Sequence, residues 1–160
     1  MNIIIHDRKE SSEGNILKDN SIETVIISDN GKIQPCVCCF DCWVKTPGQC
    51  VIKDGYDNMG MLLSKCSQLI IISQCFYGGF SPFVKNVLDR CVCPYQLPYF
   101  TIINGVTRHP KRYKNKILMS LHFYGNTTEN EKETAKKLAD RLFYKRTVSF
   151  YNSFDEIKGV

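Results

Sequence analysis

Gln68-Leu69-Ile70-Ile71-Ile72-Ser73 sets the centre of the fold. Its apolar residues run without alternation and end in β-branched isoleucines, the pattern of a strand covered on both faces in the middle of a parallel sheet. Working outward, β-branched runs at residues 2–6 and 23–28, an apolar run at 116–124 and a short one at 147–151 predict four further strands. Helical patterns lie between them. Asp54, with Asp57 three residues on, predicts a capped helix through Met59, Met61, Leu62, Leu63 and Cys66. Ser81-Pro82 opens another through Val84, Val87, Leu88 and Cys91. Thr128 with Glu131 forms a capping box ahead of Ala135, Leu138, Ala139, Leu142 and Phe143. This alternation predicts an α/β, doubly wound sheet of five parallel strands in order 2-1-3-4-5, with ligands at the C-terminal strand ends. The first crossover is predicted to be short, with room only for a small helix around residues 14–18. Residues 91–115 carry Pro94, Pro98 and Pro110 without a sustained period, and are expected to form a long, partly extended excursion.

The chain has 160 residues, a formal charge of +5, 43% hydrophobic and 23% charged residues. Those values suit one globular domain over 1–160 and exclude disordered, collagen-like and coiled-coil classes. Its start lacks a basic stretch followed by an apolar core, and no run approaches a membrane span, so neither secretion nor a membrane partner is expected. Nine cysteines, an odd number gathered rather than spread, argue against a disulfide framework and for a reducing, cytoplasmic setting. Arg108, Lys111, Arg112, Lys114 and Lys116, with His109, form a basic cluster. It reads first as a solvated loop and second as a place for an anionic cofactor; nucleic acid is not an expected partner.

Five cysteines fall in Cys36-Val37-Cys38-Cys39-Phe40-Asp41-Cys42-Trp43-Val44-Lys45-Thr46-Pro47-Gly48-Gln49-Cys50. Read as C-x2-C-x2-C-x7-C through Cys36, Cys39, Cys42 and Cys50, the spacing lets one loop present three thiolates, with a fourth arriving after the Pro47-Gly48 turn. Such a set suits a [4Fe–4S] cluster or a tetrahedral zinc ion, and free thiols in a turn are the third reading. Spacing alone leaves the three open.

Two motifs carry a family resemblance. One is this cysteine loop followed by Val51-Ile52-Lys53-Asp54; the other is Ser73-Gln74-Cys75-Phe76-Tyr77-Gly78-Gly79-Phe80-Ser81, leading to Lys85 and Leu88-Asp89-Arg90. Together they resemble the flavodoxin-like NADPH-dependent FMN reductases and, more closely, the iron–sulfur flavoproteins. The resemblance spans residues 34–90, with weaker likeness over 120–133. It implies a flavodoxin-like fold, an FMN at the C-terminal strand ends, hydride delivery from NAD(P)H and a homodimer or higher homo-oligomer. It also implies a [4Fe–4S] cluster on the four loop cysteines and a small-molecule or protein electron acceptor. Cys75, Phe76, Tyr77, Gly78 and Gly79 would lie along the isoalloxazine, and Tyr124 and Gly125 would approach it. The stretch His6-Asp7-Arg8-Lys9-Glu10-Ser11-Ser12-Glu13-Gly14-Asn15 departs from the family's Ser/Thr/Gly-rich phosphate loop and carries acidic residues where a dianion would bind.

Among single residues, Trp43 suits either a flavin cover or packing, and His6 and His122 read as satisfied buried groups. Cys38, Cys66, Cys75, Cys91 and Cys93 read as small core or surface residues, Cys75 being redox-sensitive only if its pKa is depressed. The alternative to a flavin oxidoreductase is a flavodoxin-like thiol or metal sensor, or an interaction protein, without FMN.

Overall fold

The computed structural model describes residues 1–9, 23–142 and 145–160. In chain order these form β1 (Asn2–Lys9), β2 (Thr24–Asp29), α1 (Asp41–Val44), α2 (Met59–Lys65), β3 (Gln68–Gln74), α3 (Pro82–Tyr95), β4 (Thr101–Ile103), β5 (Val106–Arg108), β6 (Leu118–Tyr124), α4 (Glu129–Leu142), β7 (Lys145–Tyr151) and a 3-10 turn at Phe154–Glu156. Five strands make one parallel sheet in the order β2-β1-β3-β6-β7. Counting its strands alone, that is the expected 2-1-3-4-5 order, and the arrangement is flavodoxin-like α/β. The register sets Ile4 beside Ile26 and Ile70, and Ser120 beside Ile70 and Thr147.

Contacts gather into two units: Met1–Gly31, Cys66–Lys85 and Lys116–Val160 form the first, and Lys32–Lys65 with Asn86–Asn115 the second. In the sheet unit, Ile3, Ile4, Ile5, Leu69, Ile70, Ile71, Ile72, Leu121 and Phe123 are buried, as the unalternating runs require of strands covered on both faces. Helix α4 packs on β7. Its capping box forms as expected: the Thr128 amide donates to Glu131 Oε2 at 2.8 Å, and the Glu131 amide to Thr128 Oγ1 at 3.3 Å. The helix expected around 14–18, and Phe143, lie outside the described residues.

The cysteine unit departs from the expectations in three places. Its helix α2 begins at Met59, and Asp54 does not cap it, because that carboxylate is taken by Arg90. Helix α3 runs past Cys91 to Tyr95, with Pro94 in its last turn, where few backbone bonds remain for a proline to break. The 91–115 excursion contains an antiparallel hairpin, β4 with β5, turned by Asn104 (φ 52°) and Gly105 (φ 75°). Both left-handed positions match a type I′ turn, and Asn-Gly between apolar β-branched residues was the signal for it.

Candidate functional site

The cysteine loop is shaped first by local backbone. Cys38 (φ 52°) and Phe40 (φ 60°) are left-handed, unusual for residues with a Cβ, and they flank Cys39. The short α1 follows, and its far end is fixed by the Gly48 amide on the Cys42 carbonyl at 3.0 Å and the Gln49 amide on the Thr46 carbonyl at 2.9 Å. Gly48 sits so close to Gly60 of α2 that a Cβ on Gly60 would lie 2.4 Å from the Gly48 carbonyl oxygen and 2.6 Å from Pro94 Cβ. Beyond it the Cys50 amide donates to the Asp57 carbonyl at 3.0 Å.

The loop's two arms meet at one buried cation. Arg90 is 1% exposed. Its guanidinium pairs with Asp54 and donates to the Ile52 carbonyl at 2.9 Å and the Gln34 carbonyl at 3.3 Å. Asp54 in turn accepts the Gln34 amide at 2.8 Å and the Tyr56 amide at 3.2 Å. Burial alone would raise the Asp54 carboxyl; the bonds from Arg90 and those two amides outweigh it and hold it below its ordinary value. The Cys50 thiol also interacts with the guanidinium, while Arg90 Nε finds no hydrogen-bond partner. A third tie comes from Trp43, whose indole N–H donates to the Cys93 carbonyl on α3. The same indole lies against Phe40 and His109, with ring centroids 5.3 Å away in each case.

Around these ties the thiols influence one another electrostatically. Burial pushes the Cys42 thiol up to about 11, helped by Cys93, Cys50, Cys36 and Cys39; burial likewise lifts Cys93 to about 11, helped by Cys36, Asp89, Cys38 and Cys50. Cys36 is raised by burial, which a bond from the Cys38 amide partly offsets while the Cys38 and Cys50 thiols add to it. The Cys42 thiol thus feels Cys36, Cys39, Cys50 and also Cys93, a residue that the sequence placed with the core or surface. Signals for it were faint: one cysteine a helical turn after Arg90, on a helix expected to end sooner. Cys66 and Cys91 are buried thiols, both raised by desolvation.

Several thiols in one unit, deprotonated on binding, fit a thiolate-held cluster or zinc in number and softness. They do not form a closed shell. Among the described residues no group of three or more His, Cys, Asp or Glu side chains is drawn close enough to hold a metal ion.

The second expected site, at the ends of β3 and β6, lies in the sheet unit. The Phe76 amide bonds the Gly79 carbonyl at 3.0 Å and the Gly79 amide bonds the Phe76 carbonyl at 2.7 Å, closing a turn with Tyr77 (φ 51°) and Gly78 (φ 79°) left-handed. A Cβ on Gly78 would lie 2.5 Å from Thr134 Cβ and 2.8 Å from the Glu131 carbonyl oxygen, so this glycine lets the turn rest on α4. The other amides are also engaged. Cys75 donates to the Tyr124 carbonyl, Gly125 to the Tyr151 carbonyl, Gly78 to the Cys75 thiol, and Tyr77 to the Glu131 carboxylate. What this edge offers a ring is aromatic surface: Phe76 is 42% and Tyr77 90% exposed. Asp7 occupies the same edge, accepting the Gln74 amide and the Tyr124 hydroxyl, each at 2.7 Å. Burial, then Asp7, raises the Tyr124 hydroxyl well above its ordinary value, so it stays protonated. Burial also raises Cys75, which removes the condition for its being a reactive thiolate. His122 is lowered by burial and shares a 3.2 Å hydrogen bond with the Tyr151 hydroxyl.

No helix among the described residues is long and apolar enough to cross a membrane. No family model and no solved structure matches the chain. Over 77 residues, 48% of its length, the chain is 32% identical to an iron–sulfur flavoprotein of Methanocaldococcus jannaschii. The match spans 39% of that relative, so the likeness is to part of a longer flavoprotein and points loosely to a flavin-related redox role.

Proposed function

We propose that the protein is an oxidoreductase that moves electrons from NAD(P)H through FMN to a small-molecule or protein acceptor, with a [4Fe–4S] cluster held by the cysteine unit. The observation that carries this reading is the cysteine unit itself: neighbouring thiols on a loop whose arms are pinned by a buried Arg90. Holding both arms lowers the entropy that the loop would lose on ligating, which is how a protein favours a bound group without touching it. When bound, FMN accepts a hydride as an electron pair and passes electrons on singly, which a cluster carries one at a time.

The chain's own part is placement. Phe76 and Tyr77 present ring faces for stacking, while Asp7 fixes the Gln74 amide and the Tyr124 hydroxyl and keeps that edge rigid. Because the amides of the 75–79 turn are engaged, FMN would be held through ring faces and side chains, and bound at micromolar rather than nanomolar dissociation constants, about 4 kcal/mol weaker. Titration of apoprotein with FMN, followed by flavin fluorescence, measures this. Saturable micromolar binding with NAD(P)H oxidation supports the reading. No binding up to roughly millimolar FMN removes the flavin and leaves the second reading, a thiol or metal sensor, which those engaged amides favour.

A further inference from the structure

The hairpin of β4 and β5 holds apolar side chains out to solvent on both of its faces. Cross-strand partners share a face, so Ile103, Val106, Thr101 and Arg108 lie on one, and Ile102 with Thr107 on the other. Ile102 is 74% exposed, Ile103 and Val106 are 48% exposed, and Tyr99 and Phe100 at the hairpin's base are 56% and 68% exposed. A two-stranded hairpin uncovered on both faces is marginal by itself, and exposed apolar surface gathered in one place marks a contact. We propose that this hairpin and the cations that follow it form a docking surface for an anionic lipid bilayer, with β4 and β5 sinking into the headgroup boundary.

Three observations choose this occupant. The first is charge. No acidic residue lies between Asp89 and Glu129, and Arg108, Lys111 and Lys114 are exposed. Cations beside exposed aromatic and aliphatic side chains suit anionic headgroups over apolar chains. A second copy seated on this surface about a two-fold axis would set cation against cation. The second observation is that both faces are apolar. A protein partner covers one face and leaves the other in water, whereas lipid surrounds an element that sinks into it. Each face of the hairpin carries only one or two aliphatic side chains, too few for a protein interface of about 1,200–2,000 Å².

The third is how the hairpin is mounted. Its strands of three residues rise about 10 Å, which matches the roughly 5–10 Å to which interfacial elements enter the headgroup and acyl boundary. Its base is held to the end of α3. The Leu97 amide donates to the Pro110 carbonyl and the Arg112 amide to the Tyr95 carbonyl, each at 2.9 Å. His109 Nδ1 donates to the Leu97 carbonyl at 2.9 Å, and its ring lies against Phe100 with centroids 4.2 Å apart. The apolar residues are therefore presented on a fixed neck. As a two-stranded sheet with open backbone edges, the hairpin cannot cross hydrocarbon, so it allows attachment at a surface and not a span. The want of a long apolar run excludes only the span, since surface attachment needs an apolar projection and cations.

The test is sedimentation of the full chain with vesicles of phosphatidylcholine alone and of phosphatidylcholine mixed equally with phosphatidylglycerol. Wild type is expected to pellet with the anionic vesicles and not with the neutral ones. Lys111→Gln should weaken that binding about fivefold, and Ile102→Ser/Ile103→Ser at least about tenfold. All three positions are exposed, so these variants should keep the fold. Binding that falls in Lys111→Gln but is unchanged in the serine pair overturns the proposal, because charge alone then adsorbs the protein. Absence of pelleting with anionic vesicles also overturns it. In that case a wild-type dimer that becomes monomeric in the serine pair, by sedimentation velocity, assigns the hairpin to a second copy, and a monomer throughout leaves an acidic protein as its occupant. In wild type, anionic vesicles should slow hydrogen exchange at amides 99–108; bound vesicles with unchanged exchange there overturn the proposal without any substitution. Flavin and iron content play no part in these readouts, so the result stands apart from the oxidoreductase reading.

Discussion

In the sheet unit the largest buried side chains are Phe123, Ile3, Ile4, Ile5, Leu69, Ile71, Ile72 and Leu121, with His6 beside them; in the cysteine unit the largest is Arg90, a cation. The first set is held by removal of apolar surface from water, which tolerates many sequences of suitable volume. The second also buries Met59, Leu63, Val87 and Tyr95 and adds directional bonds: Arg90 to Asp54, Gln34 and Ile52, Trp43 to Cys93, and the Asn115 side chain to the Leu63 carbonyl at 2.7 Å. Directional bonds at discrete points, added to buried area, keep a particular loop shape, and buried area alone keeps a sheet. The difference teaches which part is built to present chemistry.

The sharpest way to break this contrast is Arg90→Met. It leaves Asp54, whose side chain is 4% exposed, as a buried charge with no cation, and the expected loss is about 3–5 kcal/mol. Urea unfolding measures the loss, and hydrogen exchange should show it in amides 32–65 far more than in β1 and β3. A loss below about 1 kcal/mol would mean that the pair acts as a surface bridge. The double variant Arg90→Met/Asp54→Leu should recover much of the loss, because no unpaired charge remains. Asp54 also sets a pH signature. Its carboxyl is depressed in the fold relative to the ordinary 3.8, so its contribution is fully present above that value and is lost as pH falls through the lower, folded value. An acid titration should show this component in wild type and not in the double variant.

The sequence disclosed the two units unequally, for the same physical reason. Period and composition are local, and so β3, its neighbours and the Thr128–Glu131 box could be read directly from the chain. A buried ion pair is not local: Asp54 and Arg90 are thirty-six residues apart, and the D-x-x-D pattern before an apolar run reads as a helix cap until Arg90 is known to need the carboxylate. Cys93 was missed because Pro94 suggested an earlier helix end. The Asn104-Gly105 turn was legible but lay among prolines that drew attention to irregularity. At the sheet edge, Gly78 and Gly79 suggested backbone access for a ring; helix α4 occupies the space beside Gly78.

Gly60→Ala sharpens the comparison by probing close packing in the cysteine unit. The new methyl would meet Gly48 backbone and Pro94, neither able to swing aside, so about 1–3 kcal/mol should be lost, and reconstituted cluster content should fall with it. Unchanged stability would show that the loop rests loosely on α2. The smallest effect belongs to the sheet unit. Thr128→Ala removes one half of the α4 capping box and should cost about 1 kcal/mol, with thiol reactivity in the cysteine unit unchanged. Unchanged stability would mean that the box does not support α4.

The most direct measurement is anaerobic reconstitution of the full chain with iron and sulfide, followed by iron, acid-labile sulfide and absorption analysis. The expected result is about four iron and four sulfide per chain with a broad sulfur-to-iron absorption, and loss of that cluster in Cys42→Ser. A colourless protein without bound iron after reconstitution, or full cluster content in Cys42→Ser, would contradict it.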